Sequence, residues 1–118
     1  MAIIKWVVDP KKIDILRDIQ KYSDEPVIST LVGMFLVSTP VSLEKMKTDL
    51  KSNELLNIAK EAHKLKSSCG SLGLTSMAEI FASIEESIKK GSATNLIEAL
   101  ETAELFFGQS KVYLTELK

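Results

Sequence analysis

The sequence predicts an all-α protein: an antiparallel up-down four-helix bundle with a short additional N-terminal helix capping one end. Three observations carry this reading. Apolar residues recur at three- and four-residue spacing through most of the 118 residues, the period of a helix with one buried face. Helix punctuation recurs between those runs, at Asp9-Pro10, Ser52, Gly73, Ser76 and Gly91. Strand signals are weak, and no Asn-Gly or Asp-Gly hairpin turn occurs.

Asp9 offers an N-cap and Pro10 a first helical position, where the missing N–H costs nothing. A short helix then covers 10–22, with Ile13, Leu16 and Ile19 or Gln20 on one face. Ser23-Asp24-Glu25-Pro26 opens a second helix, whose face is marked by Val27, Leu31, Met34/Phe35, Leu43, Met46 and Leu50. Thr39-Pro40 inside that run predicts a kink or a break. Ser52 is the expected cap of a third helix, in which Leu55, Ile58, Ala62, Leu65, Cys69 and Leu72 repeat by threes and fours until Gly73 ends it. Thr75 or Ser76 opens a fourth, since Ser76-Met77-Ala78-Glu79 has the form of a capping box. Its face is Met77, Ile80/Phe81, Ile84 and Ile88, and Gly91 closes it. The last helix runs from Ser92 or Thr94 to Leu117 on Leu96, Leu100, Ala103, Phe107, Ser110 and Leu114. Short connections between four amphipathic helices give the antiparallel bundle.

Composition bounds the function. With 45% hydrophobic and 26% charged residues, five glycines and three prolines, the chain reads as one globular domain over residues 1–118. A net charge of -1 leaves no strong basic field for nucleic acid or an anionic membrane. Residues 26–43 carry no charge, but Ser29, Thr30, Ser38, Thr39, Ser42 and Pro40 interrupt them, so they read as a buried amphipathic helix rather than a membrane span. The single cysteine, Cys69, cannot form an internal disulfide, and Met-Ala-Ile-Ile-Lys is too short and too quickly charged for a signal peptide. A cytoplasmic setting is therefore expected. His63 is the only histidine, which excludes a two-histidine metal site and leaves one imidazole for any chemistry. No phosphate-binding glycine-rich loop and no carboxylate cluster beside His63 is present, so no cofactor is expected in the chain.

At about 100° per residue, Ala62, Leu65 and Cys69 mark the buried side of the third helix and His63 falls roughly 140° from its centre. Ser67 and Gly70, four and seven residues on, share the outer ridge, and Lys66 stands at the flank, able to swing toward the imidazole. Lys60 and Lys64 add positive charge beside it. From Glu44 to Lys66 there are six lysines against four acids; from Thr75 to Glu104, six glutamates against two lysines. A lone exposed histidine among lysines is also what an ordinary solvated helix surface presents. Gly70 and the Ser67-Ser68 pair argue otherwise, because glycine in a helix interior costs about 1 kcal/mol relative to alanine. The pattern points to bare, approachable surface next to the imidazole.

The run Ala62-His63-Lys64-Leu65-Lys66-Ser67-Ser68-Cys69-Gly70-Ser71-Leu72-Gly73 resembles the signature of histidine-containing phosphotransfer (HPt) domains, His-x-Leu-Lys-Gly-Ser/Ala-Ser/Ala-x-x-Leu-Gly. The likeness extends to Val8-Asp9-Pro10, to Phe35-Leu36 through Thr39-Pro40 and Leu43, and to Met77, Ile80 and Ile84-Glu85, covering residues 8–91. Ser67 replaces the usual glycine, and Cys69 a usual serine or alanine.

The resemblance implies a phosphorelay phosphocarrier. His63 would accept a phosphoryl group from an aspartyl phosphate on a receiver domain and pass it to the aspartate of another, Lys66 offsetting the phosphoryl charge. The implied partners are receiver domains of a hybrid histidine kinase and of a response regulator, the magnesium belonging to the receiver. The chain would be a monomer and no enzyme in its own right. Lys60, Lys64, Ser67 and Gly70, with apolar residues of the second helix such as Met34, Val37 and Val41, are the expected docking surface. Two other readings keep the bundle: the phosphorylatable domain excised from a chemotaxis-type histidine kinase, and an adaptor in which His63 does no chemistry.

Overall fold

A computed structural model describes residues 5–117; residues 1–4, most of the stretch judged too short for a leader, and Lys118 lie outside the described residues. The elements are α1 (Pro10–Lys21), α2 (Val27–Lys51), α3 (Leu55–Ser71), α4 (Thr75–Lys89) and α5 (Leu96–Leu117), with no strand among the described residues. The helices α2 to α5 pack in sequence, and α5 returns onto α2, closing a ring around one apolar core in a molecule of 44 × 24 × 22 Å.

Three of the helices stop by the same device. A residue in the left-handed region follows the C-cap: Asn53 (φ 56°) after α2, Gly73 (φ 76°) after α3 and Gly91 (φ 80°) after α4. In each case its N–H and the next one turn back onto the last carbonyls, as in Gly73 N to Gly70 O (3.2 Å) and Leu74 N to Cys69 O (2.9 Å). This satisfies acceptors that the helix itself leaves free. Ser52 is accordingly the C-cap of α2, not the N-cap of α3, which starts after Glu54. The sequence reading missed this because asparagine, not glycine, supplies the left-handed turn.

The helix α1 closes the end of the bundle where α2 begins and α3 ends, as expected. Its N-cap Asp9 accepts from Lys11 N, and Ile13 and Leu16 are buried. Asp9 N donates to Gly73 O (2.7 Å), and Ile28 N donates to Gln20 Oε1 (2.9 Å). Trp6 Nε1 donates to the buried Ser110 Oγ (2.9 Å) while its ring meets Tyr113 edge-on. Ser76 does not form the expected capping box. Its hydroxyl is buried, donates to the carbonyl of Lys5 (2.9 Å) and accepts from Val7 N, tethering the segment before α1.

Helix α2 runs unbroken through Pro40, which is exposed, so water can take the place of the missing N–H donor. Its buried face is Ile28, Val32, Phe35, Thr39, Leu43 and Met46, rotated from the expected stripe. Val27 and Leu31 are half-buried, while Met34, Val37 and Val41 are 63%, 75% and 68% exposed. A helix apolar on most sides gives its period in sequence but not its phase. The same ambiguity arises in α5, where Phe106 is buried and the expected Phe107 is half-buried against Phe35, ring centroids 5.8 Å apart.

Two substitutions test this account. An alanine Cβ at Gly73 would sit 2.3 Å from the Asp9 carbonyl oxygen, at a φ that disfavours any side chain. Gly73→Ala should lose about 2 kcal/mol or more in urea unfolding. Thr39 is fully buried and its Oγ1 has no hydrogen-bond partner, so Thr39→Val should gain about 1 kcal/mol in the same assay.

Candidate functional site

The hairpin of α3 and α4 turns at Gly73, with His63 ten residues before it and Glu85 twelve after. At ~1.5 Å per residue the two stand at nearly the same height on adjacent antiparallel helices. Their side chains meet: His63 Nδ1 lies 2.9 Å from Glu85 Oε2, and Lys66 Nζ lies 2.9 Å from Glu85 Oε1. Lys89 Nζ approaches the same carboxylate at 3.9 Å. The Glu85 side chain is only 13% exposed, whereas those of His63 and Lys66 are 59% and 37% exposed.

The hydrogen bond to Lys66 holds the Glu85 carboxyl below the usual carboxylate range; burial opposes this, and the bond from His63 adds to it. An ionised carboxylate can only accept, so Nδ1 of His63 carries the proton in this contact. In the neutral imidazole the other ring nitrogen, Nε2, then keeps its lone pair. One carboxylate thus fixes a tautomer, orients a ring and stores a lysine.

The other expected site residues surround this centre unequally. Ser67 is exposed one turn further along α3, and Gly70 lies half-buried beyond it. Lys64 turns away from His63 toward Glu61 (3.7 Å), a buried carboxylate that also accepts from Ser42 Oγ (2.7 Å) and meets Lys45 (3.7 Å). Lys60 is exposed and forms no ion pair among the described residues. The Ser42–Glu61 bond sets α2 against α3 so that the exposed Val41 stands near the height of His63. Cys69 is buried and free, its thiol pushed up to about 12 by burial, which leaves an apolar filler rather than a nucleophile. Glu85 was not among the expected site residues; its signal was the acidic partner in Ile84-Glu85, whose closeness to His63 depends on the hairpin register. Among the described residues no three His, Cys, Asp or Glu side chains converge as a metal site.

Comparison with known proteins agrees with this fold. Residues 30–117 match the Hpt domain, so the chain belongs to that family. It is a phosphorelay phosphocarrier, and Hpt domains carry phosphoryl groups for receiver domains rather than acting as kinases. The crystal structure of histidine-containing phosphotransfer protein B (HptB) from Pseudomonas aeruginosa PAO1 has the same fold. Its TM-score is 0.81 at 17% identity, over 92% of this chain and 91% of that one. No curated protein matches.

Because the Glu85 pKa is depressed, its share of stability is complete above the ordinary glutamate value of ~4.3 and is lost as pH falls through the lower, folded-state value. Carbon NMR titration should place the Glu85 midpoint below ~4.3, and Lys66→Met should move it upward.

Proposed function

We propose that His63 is the phospho-acceptor and Lys66 the cation that offsets the phosphoryl charge. The observation that carries this is the shared Glu85 carboxylate, 2.9 Å from both side chains. With its proton held on Nδ1, His63 presents Nε2 to the aspartyl phosphate of a receiver domain. The Nε2 lone pair forms the N–P bond as the aspartyl O–P bond breaks, and the aspartate leaves as a carboxylate. The ring gains positive charge in this step, and Glu85 stabilises it. The transition state is loose, so placement and charge matter more than covalent assistance. Transfer onward to a second receiver reverses the same bonds.

Lys66 meets both Glu85 and the incoming phosphoryl group from one side of the ring. Two unit charges ~4 Å apart interact by about 1 kcal/mol in water and ~4 kcal/mol in a partly desolvated interface. Lys66 therefore contributes most once the receiver has docked. The magnesium is expected on the receiver, and the chain itself needs no nucleotide site.

The partners in this reading are the receiver domains of a hybrid histidine kinase and of a response regulator. The exposed Met34, Val37 and Val41, together with Lys60, Lys64 and Ser67, supply a docking surface of apolar and basic character. The reading includes a cytoplasmic monomer, supported by the free, buried Cys69 and by the packing of the Ile28–Met46 stripe of α2 into the core.

The test is direct. Receiver domains of its own cell, charged with acetyl phosphate, should place acid-labile, alkali-stable phosphate on the wild-type chain. His63→Gln should carry none, and Lys66→Ala should slow transfer about tenfold. Failure of every receiver to label the wild type would defeat the reading.

A further inference from the structure

Onward transfer makes a demand on His63 that acceptance does not. When the N–P bond breaks, its electron pair returns to Nε2. If Nδ1 carries a proton, the ring departs as neutral imidazole. If Nδ1 is bare, the ring must depart as imidazolate, a strong base and a poor leaving group. A phosphorylated histidine is therefore a ready donor only while Nδ1 stays protonated, and an ordinary imidazolium loses that proton at ~6.5.

One group is placed to hold this proton. Nδ1 of His63 donates to Glu85 Oε2 at 2.9 Å, and the carboxylate is only 13% exposed, so water and salt screen it little. The other charges close to the ring are cations. Lys66 bonds Glu85 Oε1 at 2.9 Å, Lys89 stands 3.9 Å from Oε2, and Lys60 and Lys64 are exposed on α3. On the α2 side Lys45 is paired with Glu61. Lys12 of α1 and Glu79 of α4 share a groove with Lys66, and Glu79 lies ~9 Å along α4 from Glu85. The cations oppose a charged ring, and Glu85 is the anion in contact with it.

Phosphorylation strengthens that contact. In the resting site Glu85 divides its two oxygens between Lys66 and the ring. Once Lys66 turns to the phosphoryl group, the carboxylate is left with the ring. Its hold on the Nδ1 proton tightens in the one state that must donate.

We propose that Glu85 is the positioning residue that keeps phosphorylated His63 a donor at and above neutral pH, holding the Nδ1 proton so that the ring leaves as neutral imidazole. The proposal rests on the reading of His63 as acceptor and assigns the second half of its cycle. The receiver carboxylate forms its O–P bond as the N–P bond breaks. The electron pair returns to Nε2, and the proton stays on Nδ1 throughout. The same hold makes the phosphoryl group a short-lived store, because water can take the place of the carboxylate.

The experiment reads ring protonation and donation separately. The chain is labelled by a receiver charged with acetyl phosphate and freed of it, and phosphorus NMR then follows the phosphohistidine across neutral and alkaline pH. The folded wild type should titrate at least about one pH unit above the same phosphorylated chain unfolded in urea. Glu85→Gln keeps the shape and an acceptor for Nδ1 but not the charge, and should lose that difference. Its onward transfer, taken as a ratio to wild type so that the receiver's own pH dependence cancels, should be about tenfold slower at alkaline pH. On the acid side, where both rings are protonated, the ratio should return to one or above. A wild-type midpoint no higher than that of the unfolded chain overturns the proposal while leaving His63 as acceptor. So does a loss in Glu85→Gln that is equal at every pH, which would leave Glu85 a structural prop. If Glu85→Gln fails to fold or takes no label, the wild-type midpoint against the unfolded chain decides. A wild type labelled by no receiver defeats the reading of His63 itself, and this proposal with it.

Discussion

The register of α3 against α4 is the constraint on which the rest depends. Glu85 reaches His63 and Lys66 only because the two helices run antiparallel from a turn at Gly73 with nearly equal numbers of residues on either side. The turn is held by more than its own conformation. Asp9 N donates to the Gly73 carbonyl, and the adjoining Ser76 hydroxyl holds Lys5 and Val7. The short helix α1 thus does more than cover apolar ends. It clamps the turn that sets the height of a carboxylate some twelve residues away, linking the bundle's end to the chemistry at its middle.

Much of this was legible in the sequence, and the limits have physical causes. The existence and order of five helices follow from apolar period and punctuation, which act locally. Phase was harder: α2 carries Met34, Val37 and Val41 outside and Val32, Phe35 and Leu43 inside, so both rotations look apolar until neighbouring helices choose one. Ser52 and Ser76 both resemble N-caps. One instead ends α2, and the other binds a segment about seventy residues earlier in the chain. Side-chain hydroxyls serve caps and long-range tethers equally well, and only packing decides between them. The closeness of His63 and Lys66 was legible because they are three residues apart on one helix. Glu85 was not found as a site residue because its relation to them exists only across the hairpin.

The site is economical because its groups have successive partners. Before transfer, Lys66 neutralises Glu85, which keeps a half-exposed ammonium in place beside an unmodified histidine. In the transfer proposed for His63, the same ammonium meets a stronger, more exposed anion, and Glu85 is left to the positively charged ring. In that proposal the lysine moves between two anions separated by one imidazole, so its reorganisation is small. A preorganised charge of this kind contributes to the transition state without first being drawn from solvent.

Helix α3 also divides its charges from its contact surface. Glu61 faces the α2 seam with Ser42, Lys45 and Lys64, and Lys66 faces the α4 seam with Glu85. Between the seams, the outward ridge carries His63, Ser67 and Gly70, an imidazole followed by two small residues. Ser67 takes a position that is usually glycine in the family, and its helix propensity is better, so it restores some of what Gly70 gives up.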